Sequence, residues 1–177
     1  ELAYDVHEYT GFENFGIPFC MTVEAEVLGS EINFGMLDSE PKIEKEAFAS
    51  VSEIEYKDIG KILKEGRIEA IAQAVCHLSK NYPNVPVIGN LTGPISTTAS
   101  IVDPMTFLKE LRKDSENAHR AIDYVTDFLI EYAKLMIDNG ADLISIGDPT
   151  ATGEILGPKM FEDYAVRYLN KLIDGIH

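Results

Sequence analysis

The chain has 177 residues, with 15 Lys and Arg against 30 Asp and Glu, a formal net charge of −15. Apolar residues make up 45% and charged residues 25%, an ordinary globular balance that excludes whole-chain disorder. The acidic excess argues against nucleic acid and anionic membranes as partners, and no apolar run approaches the length that spans a bilayer. Two cysteines, Cys20 and Cys76, are too few for a disulfide framework, so a reducing, cytoplasmic setting is expected.

ELAYDVHEYTGF reads as an amphipathic helix with Leu2, Val6 and Tyr9 on one face and Gly11 as its stop. FGIPFCM (15–21) reads as a short buried strand, and Ile32 and Phe34 alternate as an edge strand. Residues 40–58 are charged and weakly periodic, which predicts a connecting loop. The twelve acidic residues between 24 and 69 read as a solvated face. Ile68, Ile71, Ala72, Val75 and Leu78 predict a helix over 65–82, and the continuous apolar run VPVIGNL (85–91) predicts a strand buried on both faces. Asp103-Pro104 opens a helix to about Arg112. A six-turn apolar stripe follows from Ser115 to Asn139, stopped by Gly140. ADLISIGD (141–148) reads as a third buried strand, and Pro158 opens a last helix.

Helices alternating with apolar strands predict an α/β fold of parallel-strand βα repeats covered on both faces. Two architectures allow this, an open doubly wound sheet and a TIM (β/α)8 barrel. Three or four strands are visible where a barrel has eight, so a barrel would require further strands. The chain is expected to be a single domain over 1–177. Because it opens within a helix and closes just after one, it reads as a portion cut from something longer.

In such a fold ligands lie beyond the carboxyl ends of the strands. That marks Cys20-Met21-Thr22 with Glu24 and Glu26, then Asn90 to Pro94, then Gly147 to Thr150. Each is also plain turn chemistry. Cys20 reads as a buried structural thiol, Cys76 as core, His77 as surface, and His7 and His119 as exposed. No Cys and His spacing makes a zinc site, and GNLTGP lacks the Lys of a phosphate loop.

GFENFGIPFCMTVEAEVLGSEINFG, VIGNLTGPIS and above all NGADLISIGDPTATGEILGPKMFEDYAVRYLNKL resemble the uroporphyrinogen decarboxylase superfamily. Within it they are most similar to the methylcobalamin:coenzyme M methyltransferases of methanogenic archaea. The resemblance implies a βα barrel about twice this length, of which the chain is the middle portion: a partial TIM barrel. It implies transfer of a methyl group from methylcobalamin, carried on a partner corrinoid protein, to the thiol of coenzyme M. It also implies a zinc held by a His-x-Cys motif and a later Cys. His177 has no Cys two residues on, so the metal ligands are expected beyond it and this chain alone is expected to be inactive. Asp148 and Glu154 become the catalytic candidates, and Cys20, Glu24, Asn90, Thr92 and Thr150 the candidates for binding substrate or corrinoid. In the decarboxylases the strand matching FGIPFCM ends in an Asp that contacts pyrrole nitrogens. Here Cys20 stands there, and a thiol is a poor acceptor for four N–H donors. Uroporphyrinogen decarboxylation is therefore the weaker alternative. A non-catalytic binding module that self-associates through open sheet edges is the other.

Overall fold

The computed structural model describes residues 1–177, all of them. Its centre is a parallel sheet of β1 (Phe15–Ile17), β4 (Val87–Thr92) and β5 (Leu143–Gly147) in the order β1-β4-β5. Phe15 stands beside Val87, Ile88 beside Leu143 and Thr92 beside Gly147, so the carboxyl ends of the strands lie together. Beside it, β2 (Glu31–Asn33) and β3 (Lys42–Lys45) pair as an antiparallel hairpin.

The long helix α7 (Ser115–Asp138) organises the rest. Asp114 caps it, with its carboxylate accepting from the Asn117 side-chain amide at 2.9 Å. Its apolar stripe, including Ile122, Val125, Phe128, Leu129 and Tyr132, is fully buried. It packs on β4 and β5 and against α4 (Ile68–Asn81), α5 (Pro94–Ile101), α6 (Pro104–Lys113) and α9 (Arg167–Ile176). Asp103 caps α6, accepting from the Thr106 N–H at 2.8 Å, with Pro104 at the first helical position as its sequence predicts. After β5 the chain forms α8 (Gly153–Met160), then a wide π turn over Phe161–Val166 that leads straight into α9. Within α8, Gly157 has φ of +74°, a left-handed kink just before the Pro158 that opens the last helix.

Several sequence expectations are corrected. In α1 (Leu2–Thr10) the buried residue is Ala3, while Leu2 and Tyr9 face solvent. β1 covers three residues of FGIPFCM, because Pro18 has no N–H to continue the ladder. The expected loop at 40–58 contains β3 and a 3₁₀ turn at Val51–Glu53. Two helices escaped the pattern, α2 (Val23–Leu28) and α5; a four-residue turn, α3 (Ile59–Ile62), lies between the hairpin and α4. β5 is not buried on both faces: as the edge strand it alternates, and Leu143 is 58% exposed. His7 and His119 are half-buried, the latter stacked on Tyr164 with ring centres 4.4 Å apart. Cys20 and Cys76 are half-buried and His77 is exposed. No helix is long and apolar enough to cross a membrane.

Candidate functional site

A cavity of about 260 Å³ opens at the carboxyl ends of the three parallel strands. β1 and the turn after it supply Pro18, Phe19, Cys20 and Met21; β4 supplies Asn90 and Thr92; β5 supplies Ser145 and Gly147. Glu24, from the first turn of α2, closes the back. Four residues singled out from the sequence, Cys20, Glu24, Asn90 and Thr92, thus share one wall.

Each is held by a specific partner. The Asn90 amide donates to the Pro18 carbonyl at 3.0 Å, tying β4 to the end of β1. Gly16 permits this: a Cβ there would stand 3.3 Å from the Asn90 amide nitrogen. Glu24 is only 1% exposed. Its Oε1 accepts the Thr92 N–H at 2.8 Å and its Oε2 the Thr92 hydroxyl at 3.3 Å. Burial pushes the Glu24 carboxyl above its ordinary range, against the pull of those hydrogen bonds and of the Arg67 charge. The reading of residues 24–69 as a solvated acidic face therefore fails at Glu24. Its signal was present: Val27 and Leu28, three and four residues on, put Glu24 on the apolar face of a helix.

Arg67, at the start of α4, reaches back across this wall. Its Nε donates to Glu26 Oε2 at 2.5 Å, its Nη1 to Cys20 Sγ at 3.3 Å and its Nη2 to Thr22 Oγ1 at 2.9 Å. The Cys20 thiol lies 2.8 Å from the same Thr22 hydroxyl. One guanidinium thus donates to three acceptors and ties the β1–α2 turn to the start of α4. Sequence reasoning missed Arg67, whose neighbours only read as the start of a helix. Beneath the wall, Tyr132 of α7 is fully buried and its hydroxyl has no partner. Burial, with the Glu24 charge adding to it, holds that phenol well above its ordinary pKa.

The three remaining candidates lie outside the cavity lining. Asp148 faces the N-terminus of α5: Oδ2 accepts the Ile95 N–H at 3.0 Å, and Oδ1 accepts the Ser96 N–H at 2.8 Å and the Ser96 hydroxyl at 2.6 Å. Gly93 makes room, since a Cβ there would fall 2.4 Å from Asp148 Cβ. Burial raises the Asp148 carboxyl above its ordinary range, and these hydrogen bonds oppose it. Thr150 is half-buried and its N–H donates to the Ser96 hydroxyl at 2.9 Å. Glu154 is exposed in the first turn of α8. No group of three or more His, Cys, Asp or Glu side chains is placed to hold a metal ion.

The family model described as Uroporphyrinogen decarboxylase (URO-D) matches residues 1–177. A methylcobamide:CoM methyltransferase, MtbA of Methanosarcina acetivorans, is 36% identical over 99% of this chain and 51% of its own length. The methylcobamide:CoM methyltransferase MtaA of Methanosarcina barkeri is 28% identical over 100% of this chain and 52% of its own. A solved structure described as a methyltransferase from Methanosarcina mazei superimposes with a TM-score of 0.92 at 29% identity, covering 99% of this chain and 52% of that one. The chain thus spans about half the length of the curated relatives it matches.

Proposed function

The chain belongs to the uroporphyrinogen decarboxylase family, and from that premise we propose that it is part of a methyltransferase. The enzyme moves a methyl group from a methylated corrinoid protein to the thiol of coenzyme M in the cytoplasm. The names of the relatives support this reading. One observation carries it against decarboxylation: the only carboxyl lining the strand-end cavity is Glu24, buried and with both oxygens on Thr92. A porphyrinogen's N–H donors would meet the Cys20 thiol at the end of β1 instead of a free anionic acceptor.

In this proposal Cys20, Glu24, Asn90 and Thr92 form the wall that receives substrate and corrinoid, and Thr150, anchored on Ser96 outside the lining, would meet the larger of the two ligands. Asn90 and Thr92 are pre-set by Pro18 and Glu24, so these two need not reorganise when a ligand arrives. Asp148 and Glu154 are the catalytic candidates. Asp148 has both oxygens on α5, so its contribution to transfer is to hold β5 and α5 at the rim. The residues here do not fit a zinc ion; the ligands of the zinc that the resemblance implies are proposed on the half of the relatives' length that this chain does not span. The three parallel strands with their helices are then a partial (β/α)8 barrel, whose next strand takes the open β5 edge in place of a second copy.

The test is turnover by the full-length protein with methylcobalamin and coenzyme M, followed by loss of the methylcobalamin spectrum and by formation of the thioether. Transfer is expected there, with none from residues 1–177 alone. Porphyrinogen decarboxylation without methyl transfer overturns the reading.

A further inference from the structure

The largest cavity of the molecule, about 650 Å³, lies away from the strand-end wall, between α6, the first turns of α7, and α8 with the π turn. Through Arg112 and Met160 it continues into a trough of about 290 Å³ between α6 and α8. The trough's apolar side chains are unusually open: Met105 is 62% and Ile155 47% exposed. Along its rim stand Lys109, Arg112, Lys113 and Lys159, all exposed, and none of the four makes an ion pair. Asp163 is the one acidic residue in the combined lining. In a chain with a formal charge of −15, a lining with four cations and one carboxylate is a locally basic spot, although Asp103 at the start of α6 is near enough to feel Lys109. At physiological ionic strength the Debye length is about 8 Å, so a docking surface feels this patch more than the net charge.

The patch lies on the same side of the molecule as the strand-end cavity. The 24 residues of α7 are about 36 Å long, against about 20 Å for the six residues of β4. Since α7 returns to the start of β5, its N-terminal turns stand past the strand ends; α6 packs on α7, and α8 lines the cavity beside Ser115 and His119 of those turns.

We propose that this trough is the docking surface for an acidic-faced protein partner, the one that delivers the methylated corrinoid to the strand-end site. The inference rests on the methyltransferase reading for what the partner carries, and on charge complementarity and exposed apolar area for how it is held. A partner helix or ridge with a small apolar crest fills the floor around Met105 and Ile155, and carboxylates beside the crest meet the four cations. Nucleic acid and anionic bilayers present extended negative charge to the whole acidic surface, so they fit this small patch poorly.

The test uses the full-length protein and the triple variant Lys109→Glu, Arg112→Glu, Lys159→Glu, with two methyl donors: the methylated corrinoid protein of the same organism, and free methylcobalamin. The variant is expected to raise KM for the protein-borne donor at least tenfold and to leave transfer from free methylcobalamin unchanged. Titration of the corrinoid protein by calorimetry should show the same weakening, and salt should weaken binding to the wild type more than to the variant. An unchanged KM and affinity for the corrinoid protein overturn the proposal. Equal loss with both donors also overturns it, by making the trough part of the folding or chemistry of the enzyme. A dimer lost in the variant, or a lower melting temperature of the uncomplexed variant, assigns the trough to a second copy or to the rest of the chain, and sinks it too. Absence of transfer by the wild type with both donors fails the methyltransferase reading, and the calorimetric comparison then still decides the surface.

Discussion

Replacing Asp148 by Ala removes the acceptor for two backbone N–H groups and a hydroxyl at the start of α5, a helix whose residues Pro94 to Ala99 are all buried. A buried donor left without a partner costs about 1–3 kcal/mol, and loss of a helix N-terminal acceptor costs about 0.5–2 kcal/mol. These overlap, and removing a carboxyl that burial already disfavours returns part of the loss. The net expectation is about 2–4 kcal/mol. For a domain of this size each kcal/mol moves the melting temperature by about 2–4 °C, so a fall of roughly 5–15 °C is expected. Thermal unfolding by circular dichroism and urea titration at constant m-value measure it. Asp148→Asn keeps one acceptor but turns an NH₂ donor toward the other backbone N–H, so it should fall between wild type and Ala. Ser96→Ala loses the hydroxyl bond to Asp148 and the acceptor of the Thr150 N–H but leaves both backbone bonds at the start of α5, so it should cost about 1–2 kcal/mol. A fall below about 2 °C for Asp148→Ala would refute the reasoning, because the three bonds would then be worth no more to the fold than contacts with water.

Tyr132→Phe removes a buried hydroxyl that has no partner, so it should stabilise the chain by about 1 kcal/mol in urea titration; destabilisation would mean that the hydroxyl is bonded through water. Glu24→Gln should flatten the dependence of stability on pH. The folded Glu24 binds its proton more tightly than the unfolded one, so its contribution is greatest below the unfolded carboxylate pKa and falls as pH rises toward the raised folded value. If wild type and Gln variant keep a constant difference across that range, Glu24 does not titrate there. His119 is held below its ordinary pKa by burial, with the Arg167 charge adding to it. Its NMR titration midpoint should lie below 6.5, and its contribution to stability should be lost as pH falls through the unfolded value toward the folded one. A midpoint at or above 6.5 contradicts this.

What the sequence made legible follows from how burial prints onto pattern. α4, α6 and α7 each bury one face, so their apolar spacing and their caps, Asp103 and Gly140 among them, were readable. α5 is buried almost all round, and Ser96, Thr97 and Thr98 interrupt its apolar residues, so it has neither a stripe nor strong helix formers. β5 reads as a buried run because Leu143 on its open face is as apolar as Ile144 and Ile146 on its covered one, and only Ser145 hints that it is an edge strand. At the site, strand ends located Cys20, Asn90 and Thr92, because the topology alone puts them on one side. Arg67 could not be found that way: it is 41 residues from Glu26 and 47 from Cys20, and only the packing of α4 brings it over. Tyr132 looked like any other member of the α7 stripe, since periodicity says nothing about a hydroxyl.

The wide π turn at Phe161–Val166 fixes the angular phase of everything after it. Each helical residue advances the chain by about 100°. With the turn in place, Tyr164 donates to the Leu111 carbonyl, Tyr168 to the His119 carbonyl, and Lys171 lies 2.7 Å from both Asp123 and Asp127. Because a π turn is a helix widened to hold one extra residue, losing one residue from this stretch would restore regular geometry and nearly keep the phase of α9. Losing one just after it would swing the rest of α9 by that angle and turn Leu172 off α7. The helix from Arg167 onward therefore admits substitution far more readily than a change of length, whereas the exposed stretch from Phe34 to Glu40 can lengthen or shorten without moving any helix.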